Sequence, residues 1–455
     1  MDHTCFIGLD LGTTNIKAAA ISDEGEYLLG ATGSMVYDTS GGKVEFCLRG
    51  FCKSAYNLIR ELVVKLPAGT CPAGVCISSA SGNTVLLGGD DEPLIPAISW
   101  LDKRQDGEIA EVMGDLDPLE VYRTVGWPLI DSFPLAHLCM LKRNDPGALE
   151  RAAKVGMSSD YINLRLCGAW AIDHSTATTF YLQDQAAGRW HAPYLEALGI
   201  PVMKLPRLLP VGTGIGKVMP DAAADTLLPS GTPVYLGSFD HPSAAIGAGV
   251  TKEGVLLLSC GTSWVGFTPI NGRERVLGAD LLCDPFLATA AFGTRYGSGH
   301  TGCMPPQAYA GDGPWGGYFS LPNIGQRLDE YLCRLIPDPN GRFQAFDDIA
   351  AGYAPGSAGV EFDVYDEPPP DLGKMDINKA VGSLIENITI LILRKLAALE
   401  KGGMPIGGVV MTGGPSRSPI WPRIISEAIG KPVSALPDGS YAGAVGAAKI
   451  ARSGA

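Results

Sequence analysis

Residues 5–21 read Cys-Phe-Ile-Gly-Leu-Asp-Leu-Gly-Thr-Thr-Asn-Ile-Lys-Ala-Ala-Ala-Ile. Apolar residues run to Leu9, stop at the small polar turn Gly12–Thr14 and resume at Ile16. This pattern predicts two short strands joined by a Gly-Thr-Thr turn, which is a β-hairpin. The free backbone N–H groups and two hydroxyls of such a turn suit phosphate oxygens. An ordinary polar hairpin is the alternative interpretation.

The same pattern occurs again at Val255–Phe267, where apolar residues flank Gly261-Thr262-Ser263. Two such hairpins, one in each half of the chain, are typical of the actin-like ATPase fold. We therefore predict an α/β protein with two actin-like ATPase (ribonuclease H-like) domains and a cleft between them. The predicted domains are residues 1–242 and residues 243–455.

Composition limits the class of function. At 455 residues the chain is long enough for two domains. A net charge of −13 argues against a nucleic-acid partner, because phosphate backbones require basic surface. No apolar run reaches the roughly 18 residues that span a bilayer, so no membrane association is expected. Eleven scattered cysteines and the lack of a signal peptide indicate reduced thiols and a cytoplasmic protein.

Two aspartates are the candidate catalytic and metal-binding residues. Asp240 follows the apolar strand Thr232–Leu236 and stands at the start of a small-residue helix. A carboxylate there can take the proton of an attacking hydroxyl, although a helix cap is the alternative role. Asp10 stands beside the first turn, and a carboxylate with water is what a magnesium ion prefers.

The candidate substrate residues follow two strands of the first half. The polar loop Ser78–Thr84 comes directly after a buried strand, which is where α/β sheets place ligands. A second strand ends in Trp100, Asp102 and Arg104, whose polar groups suit the hydroxyls of a small molecule, with a surface ion pair as the alternative. The polar stretch Asp173–Thr179 is predicted to be a loop lining a cleft.

With these motifs in order, the chain resembles the FGGY family of carbohydrate kinases along nearly its whole length. The first motif, Asp10 to Lys17, is similar to the family's first phosphate motif, and Ser259–Ser263 to the second. The Trp-x-Asp-x-Arg pattern at Trp100–Arg104 matches the substrate strand. Asp240 lies in the catalytic stretch, and Gly413-Gly414 lies in the adenosine segment. Ala442–Ala448 matches the closing helix.

The resemblance implies an ATP-dependent kinase that uses Mg²⁺ and phosphorylates a small-molecule sugar, a ketopentose or ketohexose. Asp240 is then the general base, and Asp10 and Asp240 hold the metal. The implied substrate residues are Asp102, Arg104, Trp100, Ser81, Gly82, Asn83 and His241. The implied nucleotide residues are Gly12, Thr13, Thr14, Asn15, Lys17, Gly261, Thr262, Ser263, Gly413, Gly414, Ser416 and Arg417. Family resemblance also suggests a homodimer.

Departures from the family pattern leave the substrate open. The loop Ala80–Asn83 lacks the larger polar residues that xylulose and glycerol kinases carry, and His137 and Met140 stand where Lys and Trp are usual. A glycerol or other polyol kinase therefore stays an alternative. A non-kinase actin-like ATPase predicts an additional client domain, which the sequence does not offer, and a silent sugar-binding regulator fits poorly with intact Asp10 and Asp240.

Overall fold

The computed structural model describes residues 3–286, 314–359 and 361–455. The chain forms two compact units. The first unit comprises Met1–Gly249, Leu282–Gly316 and Tyr441–Ala455, and the second comprises Val250–Leu281 and Gly317–Ser440. The predicted domains 1–242 and 243–455 stay a prediction. No helix of the described residues is long and apolar enough to cross a membrane.

The strands of the described residues are β1 (His3–Leu11), β2 (Asn15–Ser22), β3 (Tyr27–Ser34), β4 (Glu45–Phe46), β5 (Thr70–Ser79), β6 (Val85–Leu87), β7 (Ala97–Ile98), β8 (Lys154–Gly156), β9 (Ala171–Asp173), β10 (Gln183–Asp184), β11 (Arg189–Trp190), β12 (Arg207–Leu209), β13 (Gly214–Lys217), β14 (Pro233–Phe239), β15 (Val255–Cys260), β16 (Trp264–Asn271), β17 (Leu282–Asp284), β18 (Pro314–Leu321), β19 (Gly408–Gly413) and β20 (Val433–Ala435). The helices are α1 (Leu48–Lys65), α2 (Glu108–Met113), α3 (Pro118–Val125), α4 (Pro134–Asn144), α5 (Pro146–Arg151), α6 (Ser158–Cys167), α7 (His174–Thr178), α8 (Ala192–Leu198), α9 (Pro220–Thr226), α10 (Asp240–Gly247), α11 (Arg273–Gly278), α12 (Ile324–Leu335), α13 (Arg342–Ala350), α14 (Ile377–Lys401), α15 (Ile420–Ile429) and α16 (Ala442–Gly454).

The main sheet of the first unit has the strand order β13-β14-β5-β1-β2-β3. The predicted first hairpin is confirmed, because β1 and β2 pair antiparallel with Asp10 opposite Lys17. Strand β5 pairs parallel with β1 on one side and with β14 on the other. The carboxyl ends of these three parallel strands therefore lie at one edge, where α/β sheets bind ligands.

Small residues let α16 lie directly against the first unit's strands and helices. A Cβ atom on Gly8 of β1 would lie 2.0 Å from the carbonyl oxygen of Ala444. A Cβ atom on Gly247 of α10 would lie 2.0 Å from the carbonyl oxygen of Ala442. Distances this short exclude any side chain, so both glycines are required for the packing.

In the second unit, strands β18, β16, β15, β19 and β20 lie side by side in that order. The predicted second hairpin is confirmed by the antiparallel pair β15 and β16. Strand β19 runs parallel to β15 and ends at Gly413, which has a φ of +92°. A Cβ atom on Gly413 would lie 2.2 Å from the carbonyl oxygen of Cys260, so glycine is required there.

Two local predictions are wrong. The strand predicted to end in Trp100, Asp102 and Arg104 stops at Ile98, because the N–H of Asp102 bonds the carbonyl oxygen of Ser99 at 2.9 Å and closes a turn there. Asp173–Thr179 is not a loop: β9 ends at Asp173, and α7 occupies His174–Thr178. The physical reason is a side-chain cap, because the Asp173 carboxylate accepts the backbone N–H of Thr176 at 2.8 Å. Such a cap supplies a partner for an otherwise unpaired N–H of the first helical turn.

Candidate active site

Two predicted carboxylates meet at the shared edge of the first unit's sheet. Asp10 is the penultimate residue of β1 and lies beside Ser78 of β5. Asp240 begins α10 directly after β14 ends at Phe239. The parallel pairing of β1, β5 and β14 thus brings together two aspartates that are 230 residues apart in the chain, as the sequence numbers show.

The charge of Asp240 acts on Asp10. Burial and, to a smaller extent, the negative charge of Asp240 raise the pKa of Asp10 to about 7, whereas Lys17 opposes the shift. Burial likewise raises the pKa of Asp240, opposed by His241. The Oδ1 atom of Asp10 is buried and has no hydrogen-bond partner among the described residues. Two like-charged, partly buried carboxylates, one of them with an unpaired oxygen, form a site for a cation or a proton.

Glycine 443 of α16 packs directly on Asp10. A Cβ atom at this position would lie 2.4 Å from Oδ2 of Asp10. The backbone of α16 therefore forms one wall of the carboxylate site, and a side chain at this position would displace the carboxylate.

The first phosphate turn is held at its backbone and remains open at its tip. Tyr37 donates its hydroxyl hydrogen to the carbonyl oxygen of Thr13 at 2.8 Å, and the N–H of Met35 bonds the carbonyl oxygen of Thr14 at 2.9 Å. A Cβ atom on Gly12 would lie 2.6 Å from the carbonyl oxygen of Asn15, so the turn requires glycine. The Thr14 side of the turn is exposed and accessible to a phosphate.

Trp100 connects the predicted substrate strand to this turn. Its indole N–H donates to Oγ1 of Thr13 at 3.2 Å. The Trp100 ring stacks on Phe133 with centroids 6.4 Å apart and an interplanar angle of 12°. Trp127 contacts both Phe133, at 5.6 Å, and Phe239, at 5.8 Å between ring centroids. Aromatic rings therefore extend from the phosphate turn to the residue that precedes Asp240.

The substrate loop after β5 directs its polar groups into the protein. Asn83 accepts the backbone N–H of Ser158 at 2.8 Å and donates its amide to Oγ of Ser158 at 3.1 Å. The Ser81 hydroxyl is buried and donates to the carbonyl oxygen of Ser79 at 3.4 Å. Gly82 has a φ of +88°, and a Cβ atom there would lie 2.7 Å from the Phe133 ring. The loop thus supports the aromatic wall.

Asp102 and Arg104 form an ion pair with each other. Asp102 is fully buried, and its Oδ2 lies 2.7 Å from Nη2 of Arg104 and 2.8 Å from the N–H of Val44. Arg104 also bonds Glu45 at 2.6 Å. Although burial opposes ionisation, the bonds from Arg104 and the Val44 backbone hold the pKa of Asp102 below its usual range. Asp102 accordingly fixes Arg104, whose side chain remains partly exposed.

In the second unit, several of the predicted phosphate and adenosine residues line one cavity, whereas Ser263, Gly413 and Ser416 lie outside its lining. The volume of the cavity is about 730 Å³. This size lies within the range typical of small-molecule sites. Gly261 and Thr262 lie at its edge with Gly414 and Arg417. Ser416 is buried and donates its hydroxyl hydrogen to the carbonyl oxygen of Gly413 at 2.8 Å.

Helices α12 and α13 complete this cavity with residues that the sequence did not indicate. Phe343 lines it with 61% of its surface exposed. Asp347 also lines it and accepts the Ser418 hydroxyl at 2.6 Å. The hairpin tip is held in place, because Asn323 donates its N–H to Oγ of Ser263 at 3.0 Å. An amphipathic helix carries no local sign of which exposed residue faces a ligand, so the sequence could not identify Phe343 or Asp347.

The chain matches the models of both domains of the FGGY family of carbohydrate kinases, the N-terminal domain over residues 5–247 and the C-terminal domain over residues 375–455. An L-fuculokinase from Salmonella typhi is 25% identical and aligns with 96% of this chain and 90% of its own length. Among solved structures, xylulose kinase from Rhodospirillum rubrum has a TM-score of 0.81 at 24% identity and covers 98% of this chain and 89% of its own. Plasmodium falciparum glycerol kinase with ADP has a TM-score of 0.80 at 16% identity and covers 99% and 89%.

Fold and site define a two-domain protein of the actin-like ATPase class, as the sequence predicts. The chain belongs to the FGGY family of carbohydrate kinases. It is therefore a kinase, an enzyme for which ATP is the expected phosphoryl donor and a small sugar the expected acceptor. The relatives are named for different substrates, so the family does not specify the sugar.

Proposed function

We propose that this kinase transfers the γ-phosphoryl group of ATP to a hydroxyl of a ketopentose or ketohexose, with Asp240 as the general base. The observation that supports this role is the placement of Asp240 beside Asp10 at the carboxyl edge of β1, β5 and β14. A carboxylate whose pKa is raised accepts a proton more readily near neutral pH. The sugar hydroxyl thereby loses its proton as it attacks the phosphorus atom.

Each unit supplies one part of the reaction. In the first unit, the Gly12–Thr14 turn offers N–H and hydroxyl donors to the transferring phosphate. In the second unit, the cavity beside Gly261 and Gly414 holds the adenosine and the remaining phosphates. Phosphoryl transfer requires mainly positioning and charge stabilisation, which these donors provide.

Magnesium fits the carboxylate site of the first unit. The unpaired Oδ1 of Asp10 and the neighbouring Asp240 are the oxygen ligands that the ion prefers. The described residues contain no group of three or more His, Cys, Asp or Glu side chains arranged to hold a metal. Asp10 and Asp240 would hold the ion, and its remaining positions would be open to water and phosphate oxygens. When bound, it neutralises phosphate charge.

The sugar lies against Trp100 and near His241 in this proposal. Trp100 and Phe133 are half-buried and offer an apolar face to the C–H groups of a sugar ring or chain. Arg104, held by Asp102 and Glu45, donates N–H hydrogen bonds to sugar hydroxyls at the other side of the sugar. Ser81 and Asn83 use their polar groups in hydrogen bonds within the protein. Most hydrogen bonds to the sugar therefore come from Arg104, His241 and Asp240 in this proposal.

The test is ADP release from magnesium-ATP across a panel of ketoses, aldoses and polyols. We expect one ketose to stimulate turnover strongly and Asp240→Asn to lower kcat by about 10²–10⁴-fold, the usual contribution of a general base. Asp221→Asn, a change at an exposed aspartate of α9, is the matched control and should retain full activity. Turnover that survives in Asp240→Asn would remove the proposed base.

A further inference from the structure

The last residues of β14 leave the regular sheet just before Asp240. The pairing of β14 with β5 shifts register between Leu236 and Phe239. A Cβ atom on Gly237 would lie 2.0 Å from the carbonyl oxygen of Ile77, which shows how closely the strands approach there. Backbone groups displaced from a ladder require other partners when they are buried.

Serine hydroxyls supply these partners. Ser78 donates its hydroxyl hydrogen to the carbonyl oxygen of Ser238 at 3.0 Å. The N–H of Phe239 donates to Oγ of Ser175 at 3.1 Å, and Ser175 lies on α7 and is fully buried. This N–H belongs to the residue directly before Asp240, so its position sets the direction in which α10 and the Asp240 side chain begin.

A second buried carboxylate holds Ser175. The Ser175 hydroxyl donates to Oδ2 of Asp284 at 2.7 Å, and Asp284 has no exposed surface. The other oxygen of Asp284 accepts the N–H of Phe286 at 2.7 Å. Because Ser175 donates its single hydrogen to the carboxylate, its oxygen lone pairs face the N–H of Phe239.

The segment that carries Asp284 is itself fixed in the first unit. The backbone N–H of Cys283 donates to the carbonyl oxygen of Gly126 at 2.9 Å. The carbonyl oxygen of Cys283 accepts from the Trp127 indole at 3.1 Å and from the Gln185 amide at 2.9 Å. Asp284 is therefore held by its neighbours, and the Ser175 bond starts from a rigid support.

We propose that Ser175 and Asp284 are positioning residues that fix the general base Asp240 through the backbone N–H of Phe239. This inference rests on the proposed role of Asp240. A displacement of about 1 Å at a reacting group can lower a rate a hundredfold. Loss of the Ser175 hydroxyl should therefore reduce the chemical step without changing the binding of sugar or ATP.

The test is a double-mutant cycle between Ser175→Ala and Asp240→Asn in the full chain. In the wild-type background, Ser175→Ala should lower kcat by about 10- to 100-fold and leave the KM for sugar unchanged. In the Asp240→Asn background it should lower kcat less than twofold, because a positioning residue has nothing left to position. Equal factors in both backgrounds, or wild-type activity of Ser175→Ala, would overturn the proposal.

The control is Thr226→Val, which removes a buried hydroxyl from α9 that donates to the carbonyl oxygen of Ala222 at 2.6 Å. It should retain kcat within a factor of two.

If Ser175→Ala does not fold, Asp284→Ala takes its place in the cycle. Hydrogen exchange of the peptide around Phe239 gives a readout that needs no activity: its amide should exchange faster in Ser175→Ala, and unchanged exchange would overturn the proposal. If Asp240→Asn retains full turnover, the proposed base fails, whereas an inactive Asp240→Asn with an active Ser175→Ala removes only the positioning role.

Discussion

At the scale of single residues, the environment of Asp10 depends on the absence of a side chain. Gly443 places the backbone of α16 against the carboxylate, and its hydrogen occupies the place of a Cβ atom that would be 2.4 Å from Oδ2. The position is helical, so local preference alone would favour alanine over glycine by about 1 kcal/mol. The glycine therefore reflects the requirement of the site.

Although alanine favours a helix more than glycine does, Gly443→Ala should reduce kinase activity. The added methyl group displaces Asp10 from the position in which it faces Asp240. Gly50→Ala in α1 is the control, because a Cβ atom there meets only Cys47 at an ordinary 3.6 Å. We expect Gly50→Ala to keep activity and gain melting temperature. Full activity of Gly443→Ala would show that Asp10 has room to move.

His137 makes the fold sensitive to acid. Burial lowers the pKa of His137 to about 3, against an ordinary value of 6.5, and its Nδ1 lies 2.9 Å from Oγ1 of Thr84. As the pH falls below 6.5, the unfolded chain binds a proton that the folded chain does not bind. Stability is therefore lost as the pH falls, by about 2 kcal/mol at pH 5.

His137→Gln should remove this part of the acid sensitivity. The free energy of unfolding, measured by urea at pH 8 and pH 5, should differ less in the variant than in the wild type by about 2 kcal/mol. His3→Gln, at an exposed histidine, should leave the difference unchanged. An unchanged difference in His137→Gln would contradict a neutral buried imidazole.

At the scale of elements, α13 presents an exposed aromatic ring to the cavity that we propose for the nucleotide. Burial of Phe343 contributes little to the stability of the protein, because 61% of its surface is exposed. Stacking of a base on an aromatic side chain is worth about 1–3 kcal/mol. We expect Phe343→Ala to weaken ATP binding, measured by calorimetry, about fivefold or more with an unchanged melting temperature.

The matched control for Phe343→Ala is Met203→Ala, which removes an even more exposed apolar side chain from the first unit. It should leave ATP affinity unchanged. Equal affinities for ATP in Phe343→Ala and the wild type would place the adenine elsewhere in the cavity.

The elements also show what sequence patterns can and cannot reveal. Asp10 and Asp240 are recognisable from the sequence because each aspartate follows a run of apolar residues. The parallel order of β1, β5 and β14 then brings the two aspartates together. Ser175 is not recognisable, because a Ser/Thr-rich stretch resembles a loop until the Asp173 cap makes it a helix. The role of Asp284 depends on its hydrogen bond with Ser175, which lies more than a hundred residues away in sequence. No local sequence pattern indicates such a contact.

At the scale of the molecule, the first unit is assembled from distant parts of the chain. Helix α16 contributes fully buried residues, among them Ala444, Ala447 and Ile450, and it contacts β1 and α10 through glycines. Removing residues 442–455 exposes this surface and the Asp10 site together. We expect the truncated protein to be aggregated or to melt far below the wild type in calorimetry, whereas deletion of Ala455 alone should have no effect.

The dependence of β1 on α16 has a consequence for protein synthesis. Strand β1 leaves the ribosome long before α16, and Gly8 receives its packing partner only after Ala444 has been made. The first unit consequently cannot finish folding before residues 442–455 emerge, and its incomplete surface must be tolerated or shielded until then. Ribosome stalling within the second unit should then yield chains that are susceptible to proteases along their whole first 249 residues.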